Sequence, residues 1–252
     1  MTLEIETATV FVFALIFTRL GTMLMLLPAI GESLIPARAR VVLAFGMAFI
    51  LFPLVRNQFP ALPTGMATLM VLLGGELLVG LFIGGAARLV MSTMQFAGGI
   101  IAFQTGLAFA QSFDPTQGVQ SAIVGSFLSI LGVMLVFAFD LHHLMIMAMH
   151  DSFELFPPGV MLPVGDVTQV VVDLVANSFR VSLQLAAPFM VFGLVFYFGL
   201  GVLTKLMPQV QVFFVAMPAN IGIGLVLLFL LLSTIGLWFA DYFVEATSPF
   251  VI

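Results

Sequence analysis

Few side chains in this sequence can do chemistry, and the densest group of them is "DLHHLMIMAMH", which begins at Asp140. Imidazole and carboxylate together can ligate a metal, pass protons or hydrogen-bond to each other. If the stretch is helical, steps of three and seven residues turn by about 300° and 700°, which puts Asp140, His143 and His150 on one face. His143 and His150 then lie two turns apart, roughly 10 Å at 1.5 Å per residue. Metal–nitrogen bonds are about 2 Å long, so one ion cannot hold both. The expected arrangement is a carboxylate–imidazole hydrogen bond inside a helix bundle, with Asp140, His142 and His143 as structural polar residues and no metal site. Glu76 and Arg88 share one apolar run, and Arg19, Asp140 and Arg180 each stand alone in theirs. A charge at the centre of a bilayer costs from about 3 to more than 10 kcal/mol, so such groups should face protein or water. Glu76, in "LLGGELLVG", is expected to pack inward against another helix, whereas Arg88 and Arg180 either pack or snorkel to helix ends. There is no HExxH, GxSxG or GxxxxGK[ST], and no Cys for thiolate chemistry, disulfides or Cys-ligated zinc. No enzyme and no cofactor are expected.

The elements that must position these groups follow from composition. Of 252 residues, 62% are hydrophobic and 8% charged, with a mean hydropathy of +1.25. Seven Lys plus Arg and twelve Asp plus Glu cannot clothe a soluble domain, so an all-α integral membrane protein is expected. With no basic patch and one Trp, there is no footprint for nucleic acid. Glu4 and Glu6 precede the first apolar run, unlike the basic start of a secretory signal, so no cleaved leader is expected. Apolar runs near the roughly 20 residues that span a bilayer occupy 10–30, 66–90, 121–149, 174–203 and 212–240, with a shorter one at 41–55. Five or six helical segments result, separated by Pro- and Gly-containing breaks after Pro28, Arg56, Phe156 and Lys205. Arg38, Arg40, Arg88 and Lys205 fall on one side if six segments alternate, which makes that side cytoplasmic; Arg56 alone disagrees. Both termini then face outward. "GLFIG", residues 80–84, is a GxxxG spacing that admits a close helix neighbour.

One stretch does not fit a lipid-facing span. "GLAFAQSFDPTQGVQ", residues 106–120, places an acid, three glutamines, a proline and two glycines between long apolar runs. Irregular backbone at membrane depth is tolerated only where protein buries it or water lines it. Read from its residues, the stretch is a connector between hairpins or part of a conduit. A small-molecule transporter would also use broken helices, but it would show a repeated pair of broken segments in its two halves, and none is seen.

"AFQTGLAFAQSFDPTQG" from Ala102, "DLHHLMIMAMHDSFELFPPG" from Asp140 and "LQLAAPFMVFGLVFYFGLGVLTKLMPQVQVFFVAMP" from Leu183, with the early "PARAR", resemble the FliR family of type III secretion export-gate subunits. Order, spacing and length agree along almost the whole chain, and the family has a flagellar and a virulence branch, of which the flagellar is favoured. The resemblance implies one export-gate domain over residues 1–252. Its first hairpins would end in a plug-like loop near residue 120, and later hairpins would follow from 121. It implies long broken helical hairpins, partly above the membrane plane, packed with FliP and FliQ subunits around a conduit for unfolded flagellar proteins. FlhB-type and FlhA-type export components would be further partners, at the basal body in the inner membrane. It also gives the polar stretch a role, a plug in the closed pore. Gly106, Pro115 and Gly118 would break the helix, Phe109 and Phe113 would supply bulk, Gln111, Gln117 and Gln120 would satisfy freed backbone groups or meet water, and Asp114 with Pro115 would make the backbone turn. Glu76, Arg180 and Lys205, with Asp140, His142 and His143, complete the expected structural polar set.

Overall fold

The computed structural model describes residues 2–31, 35–108, 123–207 and 211–252, without side chains at 2–6. Among these residues there are seven α-helices: α1 (Thr2–Leu26), α2 (Ala37–Val55), α3 (Met66–Gln104), α4 (Ile123–Ala138), α5 (His142–Leu155), α6 (Val164–Leu206) and α7 (Val212–Thr247). Short 3-10 turns follow at Arg56–Gln58 and Ser248–Phe250. The all-α membrane fold is as the composition requires. Five helices are long and apolar enough to cross a membrane, or six if α4 and α5 form one broken span.

Most helices exceed their apolar runs, α3 and α6 by the most. α3 continues past residue 90 to Gln104, and α6 starts ten residues before residue 174, at Val164. Run 121–149 behaves in the opposite way and breaks into α4 and α5, bent by 75°. The break sits at Asp140, whose φ of 58° is left-handed and cannot continue an α-helix. Asp140 and His150 therefore do not share a helix face, and the expectation that they do is corrected here. Pro53, Pro188 and Pro218 lie inside α2, α6 and α7.

The chain packs as two compact units. The first contains Met1–Val90, Asp140–Val175 and Phe243–Ile252; the second contains Met91–Phe139 and Ala176–Tyr242. In the first unit the buried face of α1, carried by Ile16, Leu20, Met23 and Leu24, has helical spacing. It meets α3 where α3 is smallest. A Cβ on Gly80 would lie 2.6 Å from the Arg19 carbonyl oxygen, and one on Gly84 would lie 3.0 Å from that of Met23. The two ends of "GLFIG" thus let α1 approach to backbone distance. In the second unit Gly98 of α3 abuts Gly125 of α4, where a Cβ would come within 2.5 Å of the Gly125 Cα. Ser178 and Tyr242 join α6 to α7 at 2.9 Å, and the Ser182 hydroxyl donates to the Thr93 carbonyl of α3 at 3.1 Å. Hydroxyls of Thr18, Thr22, Thr105, Ser182 and Thr247 also donate to carbonyls four residues back, so each finds an acceptor within its own helix.

Candidate functional site

The first polar centre is built on Arg19. It lies on the buried face of α1 and is 1% exposed, with Glu76 of α3 at 2%. Arg19 Nε donates to Glu76 Oε2 at 2.5 Å, Nη1 to the Ser152 carbonyl at 2.7 Å and Nη2 to the Phe156 carbonyl at 2.9 Å. Its guanidinium carbon lies 4.4 Å from the centre of the Phe153 ring. The planar fork reaches three acceptors in fixed directions, which an ammonium cannot copy. Two of those acceptors lie at the C-terminal end of α5: the Ser152 carbonyl, which also takes the Phe156 backbone N–H at 3.0 Å, and the carbonyl of Phe156, the residue that caps the helix. One side chain thus closes α1, α3 and the end of α5 together. Neither partner could be paired from sequence, since 57 residues separate them.

The second centre surrounds the end of α3, in the second unit. Thr105 and Gly106 turn the chain there, and Gly106 has a φ of 76°, which an L-residue adopts only with strain. Asn220 of α7, 2% exposed, donates from Nδ2 to the Gln104 carbonyl and to the Tyr197 hydroxyl, both at 3.4 Å. Its Oδ1 is buried without a hydrogen-bond donor among the described residues. One turn along α7, Gly224 leaves room for the Thr105 side chain, whose Cβ would be 2.6 Å from a Cβ placed there. On α6, Gly193 leaves room for the Gln104 side chain, one turn before Tyr197. α6 and α7 therefore each carry a glycine and a polar residue four apart where α3 ends. Sequence reasoning missed Asn220, Tyr197, Gly193 and Gly224; the four-residue spacing was the available signal.

Gly106 is the one member of the plug-like set placed by the structure; Phe109, Gln111, Phe113, Asp114, Pro115, Gln117, Gly118 and Gln120 lie outside the described residues. Asp140 and His143 do not form the expected buried hydrogen bond. His143 Nδ1 and Asp140 Oδ1 are 3.9 Å apart, with side chains 64% and 76% exposed, beyond hydrogen-bond reach and open to solvent. The left-handed turn at Asp140 is the reason, because it sends the carboxylate away from the α5 face. Donor atoms of Asp140, His142 and His143 lie within 4.8 Å of one another, a looser set than the roughly 3.4 Å separations that tetrahedral zinc bonds of about 2.1 Å impose. His150 pairs instead with Asp151 at 2.8 Å, and Asp151 also accepts the Ile252 backbone N–H at 3.0 Å. Arg88 and Arg180 are exposed on α3 and α6. Lys205 is exposed in the last turn of α6, where a cation suits the negative end of the helix dipole.

The sequence profile of bacterial export proteins, family 1, matches residues 10–246. The chain belongs to this export family. The export-family chain is 44% identical over 241 residues to the flagellar biosynthetic protein FliR of Caulobacter vibrioides, with 96% of each chain covered. It is 29% identical over 228 residues to the FliR protein of Bacillus subtilis, covering 88% of this chain and 86% of that one. It is 27% identical over 221 residues to the Yop proteins translocation protein T of Yersinia pestis, covering 86% and 84%. With its apolar helices, membership makes the export-family chain a multi-pass inner-membrane component of the type III export machinery, working with other export proteins.

Proposed function

We propose that the chain is the gate subunit of a flagellar export apparatus. One copy acts as a single domain over residues 1–252, closing a ring of FliP- and FliQ-type subunits around a conduit for unfolded flagellar proteins at the basal body. FlhB-type and FlhA-type components complete the machinery around it. The flagellar branch is favoured by 44% identity to the Caulobacter FliR protein against 27% to the Yersinia translocation protein.

The observation that carries this reading is the length of apolar helix. α6 has 43 residues, a contour of about 64 Å, roughly twice the 30 Å of hydrocarbon in a bilayer. α3 and α7, with 39 and 36 residues, run about 58 and 54 Å. Their outward side chains stay apolar over most of that length, including Val191, Leu194, Phe198 and Leu206 on α6 and Phe214, Val215, Phe229 and Leu230 on α7. Lipid covers about half of such a helix, and water is a poor solvent for the remainder. Partner protein surfaces are the cover that fits. Native mass spectrometry of the chain co-expressed with FliP- and FliQ-type subunits should find one copy of it among several of each. A stable homo-oligomer with transport activity of its own would overturn the reading.

Residues 109–118 act as the obstruction in the closed conduit. Support comes from their entry point: the chain reaches them through a glycine turn that α6 and α7 enclose, rather than through a lipid-facing helix end. Deleting the segment should raise conductance of the purified complex without dismantling it, and Phe113→Ala should give a weaker leak. A deletion that stays tight in an intact complex makes the segment a connector.

A further inference from the structure

The Arg19–Glu76 pair also forms part of the wall of a cavity. In the first unit α1, α3 and the connector that runs from Pro157 into α6 line a partly open space of about 280 Å³. Its room comes from missing side chains. Gly74 and Gly75 of α3 both line it, and a Cβ built on either meets nothing within 4 Å. On the connector the chain turns at Gly159, whose φ of 84° is left-handed and suits glycine. That turn lays the connector against α3, since a Cβ built on Gly159 would stand 3.6 Å from Leu72. Apart from Arg19 and Glu76, every described residue lining the cavity is apolar or glycine, Leu72, Val79, Val160 and Leu162 among them.

Glu76 decides what fits. Its Oε2 accepts from Arg19 Nε, while its Oε1 has no hydrogen-bond donor among the described residues, on a side chain 3% exposed. A buried carboxylate oxygen left without a donor is costly. Arg19 asks for nothing further, because each of its three nitrogens already has an acceptor. Water is a poor occupant, since it needs two to four polar partners and the side chains here present one open acceptor. An anion would face the carboxylate and a second cation the guanidinium, so the occupant that fits is neutral. It donates one hydrogen bond and is otherwise hydrocarbon. An apolar cavity of about 150 Å³ holds benzene, so on the same scale this one holds about ten carbons.

We propose that the cavity is a binding site for a small neutral amphiphile, an alcohol or amide with an apolar body of about ten carbons, whose O–H or N–H donates to Glu76 Oε1. Such molecules concentrate in lipid, the medium around these helices. Because the same ion pair closes α1, α3 and the end of α5, occupancy ties the connector before α6 to that joint.

The test uses the complex co-purified with its partner subunits and an octanol that carries a photoreactive diazirine on its chain. Labelling should saturate, map by mass spectrometry to residues 71–79 and 157–164, and be displaced by plain octanol. The matching octane diazirine, without the hydroxyl, should label these residues at least about tenfold less at equal concentration in the detergent phase, the factor that one hydrogen bond to a charged acceptor supplies. Gly75→Leu fills the cavity and leaves Arg19 and Glu76 in place. Saturable labelling should then disappear while the complex purifies with a thermal midpoint no lower than before. Where Gly75→Leu lowers the yield of complex, Gly74→Leu fills the same space and should remove the labelling alike. Saturable labelling that survives filling overturns the site. Labelling of residues 71–79 and 157–164 that is absent or never saturates, as on a lipid-facing surface, overturns it too. Equal labelling by the octane overturns the role of Glu76 in choosing the ligand.

Discussion

Replacing Arg19 by Met removes the cation from between Glu76 and the end of α5 while keeping much of its volume. Glu76 would then be a carboxylate at 2% exposure with no counter-charge, and the Phe156 carbonyl would lose its donor. Breaking a buried ion pair on one side costs about 3–5 kcal/mol, mostly because the remaining charge is stranded. For a chain of this size each kcal/mol moves the thermal midpoint by about 2–4 °C, so a fall of roughly 10 °C is expected. Glu76→Met alone strands the guanidinium and should cost a comparable amount. The double variant Arg19→Met/Glu76→Met leaves no buried charge, only the Phe156 carbonyl without the guanidinium donor and the Ser152 carbonyl with its backbone donor alone, so about 1–3 kcal/mol is lost. The singles and the double therefore do not add, and the coupling should be at least about 3 kcal/mol. Arg19→Lys should fall between wild type and Arg19→Met, since an ammonium cannot reach three divergent acceptors at once. Thermal unfolding of the co-purified complex in one detergent reads all four. Single variants within 1 kcal/mol of wild type, or a double variant equal to the sum of the singles, would refute the account of Arg19 as the closure of the first unit.

Two further predictions use the same assay. Gly80→Val should cost about 1–3 kcal/mol, because its side chain meets the Arg19 carbonyl and Thr22. Gly74→Ala, with nothing within 4 Å of the new Cβ, should be neutral or gain about 0.5–1 kcal/mol; equal losses at both positions would show that α1 does not approach α3 through Gly80. Asp140→Ala should destabilise by about 1–2 kcal/mol through left-handed strain, whereas Asp140→Gly should be near neutral although it too removes the carboxylate. If Asp140→Gly costs as much as Asp140→Ala, the carboxylate itself matters and the backbone explanation fails.

Much of the fold was legible because hydrophobicity and helix breakers are local properties. The Pro- and Gly-containing connectors after Pro28, Arg56, Phe156 and Lys205 end helices as their chemistry requires. The break at Asp140 was not legible, since no Gly or Pro adjoins it and a left-handed residue leaves no periodic mark. Helix ends at Gln104 and Val164 were also misjudged, because less apolar turns still propagate when tertiary packing holds them. The need for Glu76 to face protein was readable from the cost of a lone charge. Its partner was not, because pairing Arg19 with a residue 57 positions away depends on helix placement that no local pattern encodes. At the second centre Gly106 stood out by its breakers, while Asn220 looked like one polar residue in a long apolar helix.

The physical reason that so few residues decide this fold lies in the solvent. Lipid tails are as apolar as Leu, so burying a Leu between helices gains little over leaving it in the bilayer, and apolar patterning alone cannot choose one helix arrangement over another. Choice passes to contacts that lipid cannot imitate. Close backbone approach is one kind, seen at Gly80 and Gly84 against α1 and at Gly98 against Gly125. Polar groups that need a protein partner are the other, seen in Arg19 with Glu76, Ser178 with Tyr242, Ser182 with the Thr93 carbonyl and Asn220 with the Gln104 carbonyl. Within each unit the same logic ranks these contacts: short, charged and fully paired groups fix a shape, whereas long, neutral and half-paired groups leave one adjustable. The polar residues of this sequence, scarce as they are, thus carry the choice of arrangement that apolar packing in lipid cannot make.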